Sequence, residues 1–174
     1  MESEFGRPFG TDPKIAAQVT EVVKKNTSIP VIVKLSPNVT SIVEIAQAVE
    51  AAGADAISAI NTIGPGMIID IKTRKPILAN KMGGVSGPAI RPIAVRCVYQ
   101  IYEKVKIPLI GIGGITTGAD AIEMILAGAQ AVQIGSAVYY RGPEVFQKIT
   151  REIEEYLQEN HYQSLKDIIG QAHA

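Results

Sequence analysis

Two glycine-marked segments, Ile110-Gly111-Ile112-Gly113-Gly114-Ile115 and Val132-Gln133-Ile134-Gly135-Ser136-Ala137, constrain this chain more than anything else in it. Each begins as a short run of β-branched apolar residues, and each runs on into a helical pattern. A strand that ends in glycine leaves bare backbone amides at its carboxyl end, and successive βα units of this kind form a cup for phosphate. In an eight-stranded β/α barrel that cup commonly follows the last two strands. Here the pair lies toward the end of the sequence, which points to a barrel enzyme, or a piece of one, that holds a phosphorylated ligand.

Strand and helix patterns alternate through the rest of the chain. Asp12 and Pro13 mark a helix start, with Ile15, Ala16, Val19, Val22 and Val23 as one apolar face. A strand over 30–35 stops at Ser36-Pro37-Asn38. Thr40 or Ser41 then caps a helix that carries Ile42, Ile45, Ala46 and Val49 and ends at Gly53, and a second strand covers 54–61. Residues 62–87 break the rhythm. Gly64-Pro65-Gly66 reads as a turn, 67–71 with 76–79 as a short hairpin, and 83–88 as a flexible glycine-rich approach to a helix over 89–105. Loops of this length are usually functional. A third strand opens at Pro108, a helix covers 119–126, a fourth strand 131–134, and helices follow from Pro143 and over 165–169.

This alternation predicts an α/β fold with parallel strands and a TIM-type (β/α) barrel, of which about four βα units and a hairpin insertion are present. Hydrophobic residues make up 47% of the chain and aromatics only 5%, so Ile, Val and Ala build the core, as strands buried on both faces require. A closed barrel takes about 200 residues or more. The 174 present therefore predict its C-terminal half, with 1–8 as a tail or vector-derived scar and 9–174 as the half-barrel. Its open strand edges predict a homo-oligomer. Lys+Arg and Asp+Glu both number 17, which argues against general nucleic-acid or anionic-membrane binding. With one cysteine and no long apolar stretch, a reducing cytoplasmic location is expected.

Several positions carry possible chemistry. Lys34, at a strand's carboxyl end, reads either as a cation that stabilises an anion or reduced cofactor ring, or as a lysine snorkelling to water. Asn61 and Thr62 can read a carboxylate or ring imide, or can simply start a turn. Ser86 or Gly87 reads as the N-cap of the helix opening at Pro88, or as part of an anion site. Gly113, Gly114, Gly135 and Ser136 carry the strongest signal because the pattern recurs in adjacent units. Cys97 falls on an apolar helix face and reads as a buried structural thiol, while His161 and His173 read as surface residues without metal-ligand spacing.

Taken together, 31–38, Ala59-Ile60-Asn61-Thr62, 70–81 and Gly83-Gly84-Val85-Ser86-Gly87-Pro88-Ala89-Ile90 resemble the dihydroorotate dehydrogenase family, in particular its class 1B catalytic subunits. Phe9-Gly10-Thr11-Asp12-Pro13 resembles the segment that follows the family's catalytic loop. The resemblance implies an FMN-dependent oxidoreductase of pyrimidine biosynthesis, a flavoprotein that oxidises dihydroorotate to orotate. It implies that Lys34 lies by the flavin's pyrimidine edge, Ile60 and Gly87 line the flavin, and Gly113, Gly114, Gly135 and Ser136 hold its phosphate. Asn61 and Thr62 would bind dihydroorotate or orotate, and an FAD and iron–sulfur subunit would carry electrons onward to NAD. The family's catalytic cysteine belongs to a Ser-Cys-Pro-Asn loop whose place is taken here by Met1 to Pro8, so an inactive fragment is expected. Gly64-Pro65-Gly66 also departs from the family pattern. Another phosphate-binding barrel enzyme and a non-catalytic, self-associating half-barrel remain as alternatives.

Overall fold

A computed structural model of the chain describes residues 9–174, and the expected tail at 1–8 lies outside the described residues. Helix α1 (Pro13–Lys25) starts where Asp12 accepts the amides of Lys14 and Ile15 at 2.8 and 3.3 Å, with Pro13 at the first helical position. Strand β1 (Ile32–Leu35) follows, then α2 (Ile42–Ala51), whose cap is Ser41 with its Oγ 3.3 Å from the Glu44 amide. After β2 (Ala56–Ala59), the insertion holds β3 (Ile63–Gly66), β4 (Ile69–Asp70), β5 (Lys75–Pro76) and β6 (Gly83–Val85). The chain continues with α3 (Arg91–Tyr102), β7 (Leu109–Ile112), α4 (Gly118–Leu126), β8 (Ala131–Gln133), α5 (Ala137–Arg141) and α6 (Val145–Glu159), and single 3-10 turns close it.

Strands β1, β2, β7 and β8 form one parallel sheet in that order, so β1 and β8 are its outer strands. Every residue of β2 is buried, because the strand has a neighbour on each side and the core packs over both faces. Ile45, Ala46 and Val49 of α2 and Ala94, Cys97, Val98 and Ile101 of α3 supply much of that core. A smaller cluster joins Ile122 and Ile125 of α4 to Ile168. The architecture is mixed α/β around a four-stranded parallel sheet.

The structure departs from expectation in several places. Gly64-Pro65-Gly66 is not a turn: it forms β3, paired antiparallel with β6 at Ile63–Val85 and Gly66–Gly83. The supposedly flexible 83–85 is therefore a strand, and Gly84 is needed there because a Cβ would collide with the Thr62 side chain. The hairpin forms, with a ladder of only Ile69–Pro76 and Asp70–Lys75. On α1, Val19, Val22 and Val23 are 42%, 61% and 43% exposed, because the helix docks on α2 and buries Ala16 and Thr20 instead. Helix α5 is the short helix that follows the second glycine-marked segment, and Gly142 separates it from α6.

His161 is exposed, but His173 is not a surface residue. Its ring stacks on Tyr99 at 3.8 Å between centroids, and Nε2 lies 3.1 Å from the Ala127 carbonyl. The chain end is thereby docked on α3 and the turn after α4. His173→Ala should remove the stack and the hydrogen bond, about 1–2 kcal/mol together, and lower the melting midpoint by roughly 2–6 °C. An unchanged thermal midpoint would show that the terminus contributes nothing to stability.

Candidate functional site

The carboxyl ends of the four parallel strands converge on one cleft, and the nine residues that the resemblance places at cofactor or substrate all line it. Lys34 comes from β1; Ile60, Asn61 and Thr62 follow β2; Gly87 precedes α3; Gly113 and Gly114 follow β7; Gly135 and Ser136 follow β8. Ser86, which also stood out, joins them, with Gly87 rather than Ser86 as the cap residue of the 3-10 turn before α3. The enclosed volume is about 100 Å³, below the roughly 300–1,000 Å³ of a complete small-molecule site.

The cleft's donors are unusually uncommitted. Among the described residues, the amides of Gly113, Gly114, Gly135 and Ser136 donate no hydrogen bond, although Gly113 and Gly114 are buried. Buried amides without an acceptor are rare in folded proteins, so Gly113 and Gly114 leave this cleft with donors that an anion could satisfy. The Ser136 hydroxyl caps nothing, and the Lys34 ammonium forms no ion pair among the described residues. The lining offers no carboxylate, imidazole or thiol.

Packing decides which glycines are replaceable. Gly114 has φ +74°, and a Cβ there would stand 2.7 Å from the Arg91 Cβ and 2.9 Å from the Gly87 carbonyl oxygen. Any side chain at 114 therefore disturbs the fold before it reports on a ligand. At Gly135 a Cβ would meet nothing within 4 Å, so a methyl there enters open cleft.

Ionic contacts outside the cleft hold the loop after β7 in place. The Asp120 carboxylate, 6% exposed, accepts the Thr116 amide and hydroxyl, each at 2.8 Å, and the Thr117 amide at 2.9 Å. Its other oxygen takes the Arg91 guanidinium. The Thr117 Oγ in turn accepts the Asp120 amide, completing a capping box on α4. Arg141 donates to the Thr116 carbonyl at 2.7 Å and pairs with Glu152 at 2.7 Å, and Glu152 accepts the Gly118 amide. Across the cleft, Asn38 bridges the Thr62 carbonyl and the Gly64 amide, both at 3.0 Å. The Asn61 side-chain oxygen accepts the following amide at 2.8 Å, so it shapes the turn whatever else it binds.

Sequence reasoning missed Asp120, Arg91, Arg141, Asn38 and the lining residue Gln133. The Thr117-x-x-Asp120 spacing was a readable capping signal; the ion pairs, formed between distant segments, had none. Cys97 is fully buried and its thiol is pushed above its ordinary value by that burial, which keeps it protonated and structural.

Burial favours the neutral form of Asp120, yet the Thr116 and Thr117 donors outweigh it and hold the carboxyl below its usual range. The Arg141 guanidinium, opposed by burial and aided by the Gly118 amide, does the same for Glu152. The unfolded chain takes up these protons at higher pH than the folded chain. The stabilisation is therefore complete above the ordinary carboxylate range and is lost as pH falls through the lowered folded values. Asp120→Asn should destabilise the protein by about 3 kcal/mol near neutrality, and the gap to wild type should narrow as pH falls toward about 3. Urea unfolding at several pH values checks this; a gap that stays constant would show that the Asp120 charge is not what holds the loop.

Comparison with known proteins agrees with this geometry. The family model described as dihydroorotate dehydrogenase matches residues 2–157. The dihydroorotate dehydrogenase B (NAD(+)) catalytic subunit of Methanothermobacter thermautotrophicus is 51% identical over 168 residues, covering 97% of this chain and 55% of that protein. The proteins of the same name from Desulforamulus reducens and Geobacter sp. (strain M21) are 54% identical over 168 and 55% identical over 165 residues, covering 55% and 53% of their own lengths. The chain thus spans about half the length of the curated relatives it matches. On the family match and these identities, the chain belongs to the dihydroorotate dehydrogenase family.

Proposed function

We propose that this chain is the FMN-binding C-terminal half of a dihydroorotate dehydrogenase catalytic subunit, built as half of a TIM-type barrel and working in the cytoplasm. The observation that carries the proposal is the set of free amides at Gly113, Gly114, Gly135 and Ser136, converging on one cleft beside an unpaired lysine. These groups suit the parts of FMN well: amides and a hydroxyl for the phosphate, apolar Ile60 and the bare Gly87 for the ring, and a cation for the ring's anionic edge. FMN, when bound, supplies a hydride acceptor for the C6 hydrogen of dihydroorotate.

The chain's own residues would grip and orient. Lys34 balances negative charge on the ring, and Asn61 and Thr62 lie beside it to bind dihydroorotate or orotate. Asn38 fixes that turn through its two hydrogen bonds. Proton removal needs a base, and the cleft lining offers no carboxylate, imidazole or thiol to serve. The base therefore comes from outside this cleft, as it would if the other half of the site supplied it. Electrons then pass to an FAD and iron–sulfur subunit and on to NAD, in keeping with relatives named as NAD(+)-type catalytic subunits.

A second reading, a self-associating half-barrel without catalysis, is favoured by one observation: Ile29 and Ile32 at the β1 edge are 69% and 51% exposed. Family membership sets aside an unrelated phosphate-binding barrel enzyme.

Titration with FMN, followed by flavin fluorescence, separates the readings. Saturable quenching is expected, and its absence would sink the cofactor assignment. Gly135→Ala should leave the melting midpoint unchanged and weaken FMN about tenfold, a loss of about 1.4 kcal/mol; equal affinity would displace the phosphate from this cup. The purified chain with FMN bound should not turn over dihydroorotate, and measurable orotate formation would show that a base is present after all.

A further inference from the structure

Both arginines near the cleft are already engaged: Arg91 with Asp120 and Glu123, Arg141 with Glu152 and the Thr116 carbonyl. A phosphate bound in the cradle is therefore held by neutral donors, and each hydroxyl within reach carries more weight than it would beside a guanidinium. Ser136 is one such hydroxyl. Tyr140, three residues beyond the start of α5, is a second that neither the sequence nor the family resemblance singles out.

We propose that the Tyr140 hydroxyl is a phosphate ligand of this site, selecting a phosphate monoester over its dephosphorylated counterpart. The assignment rests on the FMN reading above and extends it to a residue that completes the cup. A Cβ built on Gly87 would stand 3.2 Å from the Tyr140 oxygen and 3.9 Å from the Ser136 oxygen, so both hydroxyls border the same small space. Glycine is required at 87 by its backbone, φ +91°, and a side chain there would also crowd the tyrosine hydroxyl. The Tyr140 hydroxyl has no hydrogen-bond partner among the described residues, and with the side chain 61% exposed it is free to turn to a ligand. Its ring is set edge-to-face against Tyr139, with centroids 5.8 Å apart. Tyr139, 90% exposed, serves as a matched control.

Calorimetric titration of FMN and of riboflavin into the wild-type chain, Tyr140→Phe and Tyr139→Phe tests the assignment. Tyr140→Phe removes one oxygen from a largely exposed side chain, so its melting midpoint should match wild type. The expected result is an FMN affinity lowered about tenfold in Tyr140→Phe, with riboflavin affinity and the Tyr139→Phe protein unchanged. Equal losses for FMN and riboflavin, or no loss for FMN, would overturn it. If wild type binds neither flavin, the FMN reading fails, and inorganic phosphate observed by phosphorus NMR decides the tyrosine separately. Line broadening in wild type that is lost in Tyr140→Phe supports the ligand role, whereas no broadening in wild type overturns it.

Discussion

The buried carboxylate of Asp120 is the constraint on which the rest of the site depends. The loop after β7 must turn sharply enough to leave the Gly113 and Gly114 amides without internal partners, and unpaired buried amides are costly. The cost is offset a few residues later. Asp120 collects the Thr116 and Thr117 amides, Glu152 collects that of Gly118, and Arg91 and Arg141 neutralise the two carboxylates from other elements. The unpaired amides at the glycines and the charge network beside them are thus one device, and it binds α3, α4 and α6 to the end of a single strand.

That arrangement sets the electrostatics of the cleft. The positive groups that elsewhere would face a phosphate are turned away to hold the scaffold, leaving backbone amides and hydroxyls to face the ligand. Such donors recognise an anion by direction more than by charge, which favours a group with several oxygens spaced like those of phosphate. Lys34, the one cation of the lining, comes from the outer strand β1 rather than from the glycine-bearing loops after β7 and β8.

What the sequence made legible follows from how local each cause is. Glycine at a strand end has a local cause, so two strand ends that line the cleft could be read directly from Gly113-Gly114 and Gly135-Ser136. Helix starts at Asp12 and Ser41 were local too. Gly64-Pro65-Gly66 misled because glycine and proline mark a turn and an irregular edge ladder equally well, and only the partner strand Gly83–Val85 separates them. The valines of α1 misled differently: periodicity shows that a face is apolar without showing what lies against it. His173 and Tyr140 have causes that reach across the fold, to Tyr99 and Gly87, and no pattern near either residue announces them.

Burial varies along the cleft. Gly87, Gly113, Gly114 and Ile60 are buried, Ser136 is half-buried, and Gly135, Asn61, Thr62 and Lys34 are exposed. On the proposed reading, a phosphorylated ligand would be anchored chiefly by the loop after β7 and left open at the polar edge of its ring. Binding free energy in such a site comes mainly from the anchored end, while reactivity at the ring depends on groups that exclude water and move protons. The anchor here is assembled within one chain from β7, β8 and the start of α3, and its geometry asks nothing of the elements that would enclose the ring. On the proposed reading, affinity for the phosphate and competence at the ring are therefore separable properties of this fold, and the groups of this cleft serve the first.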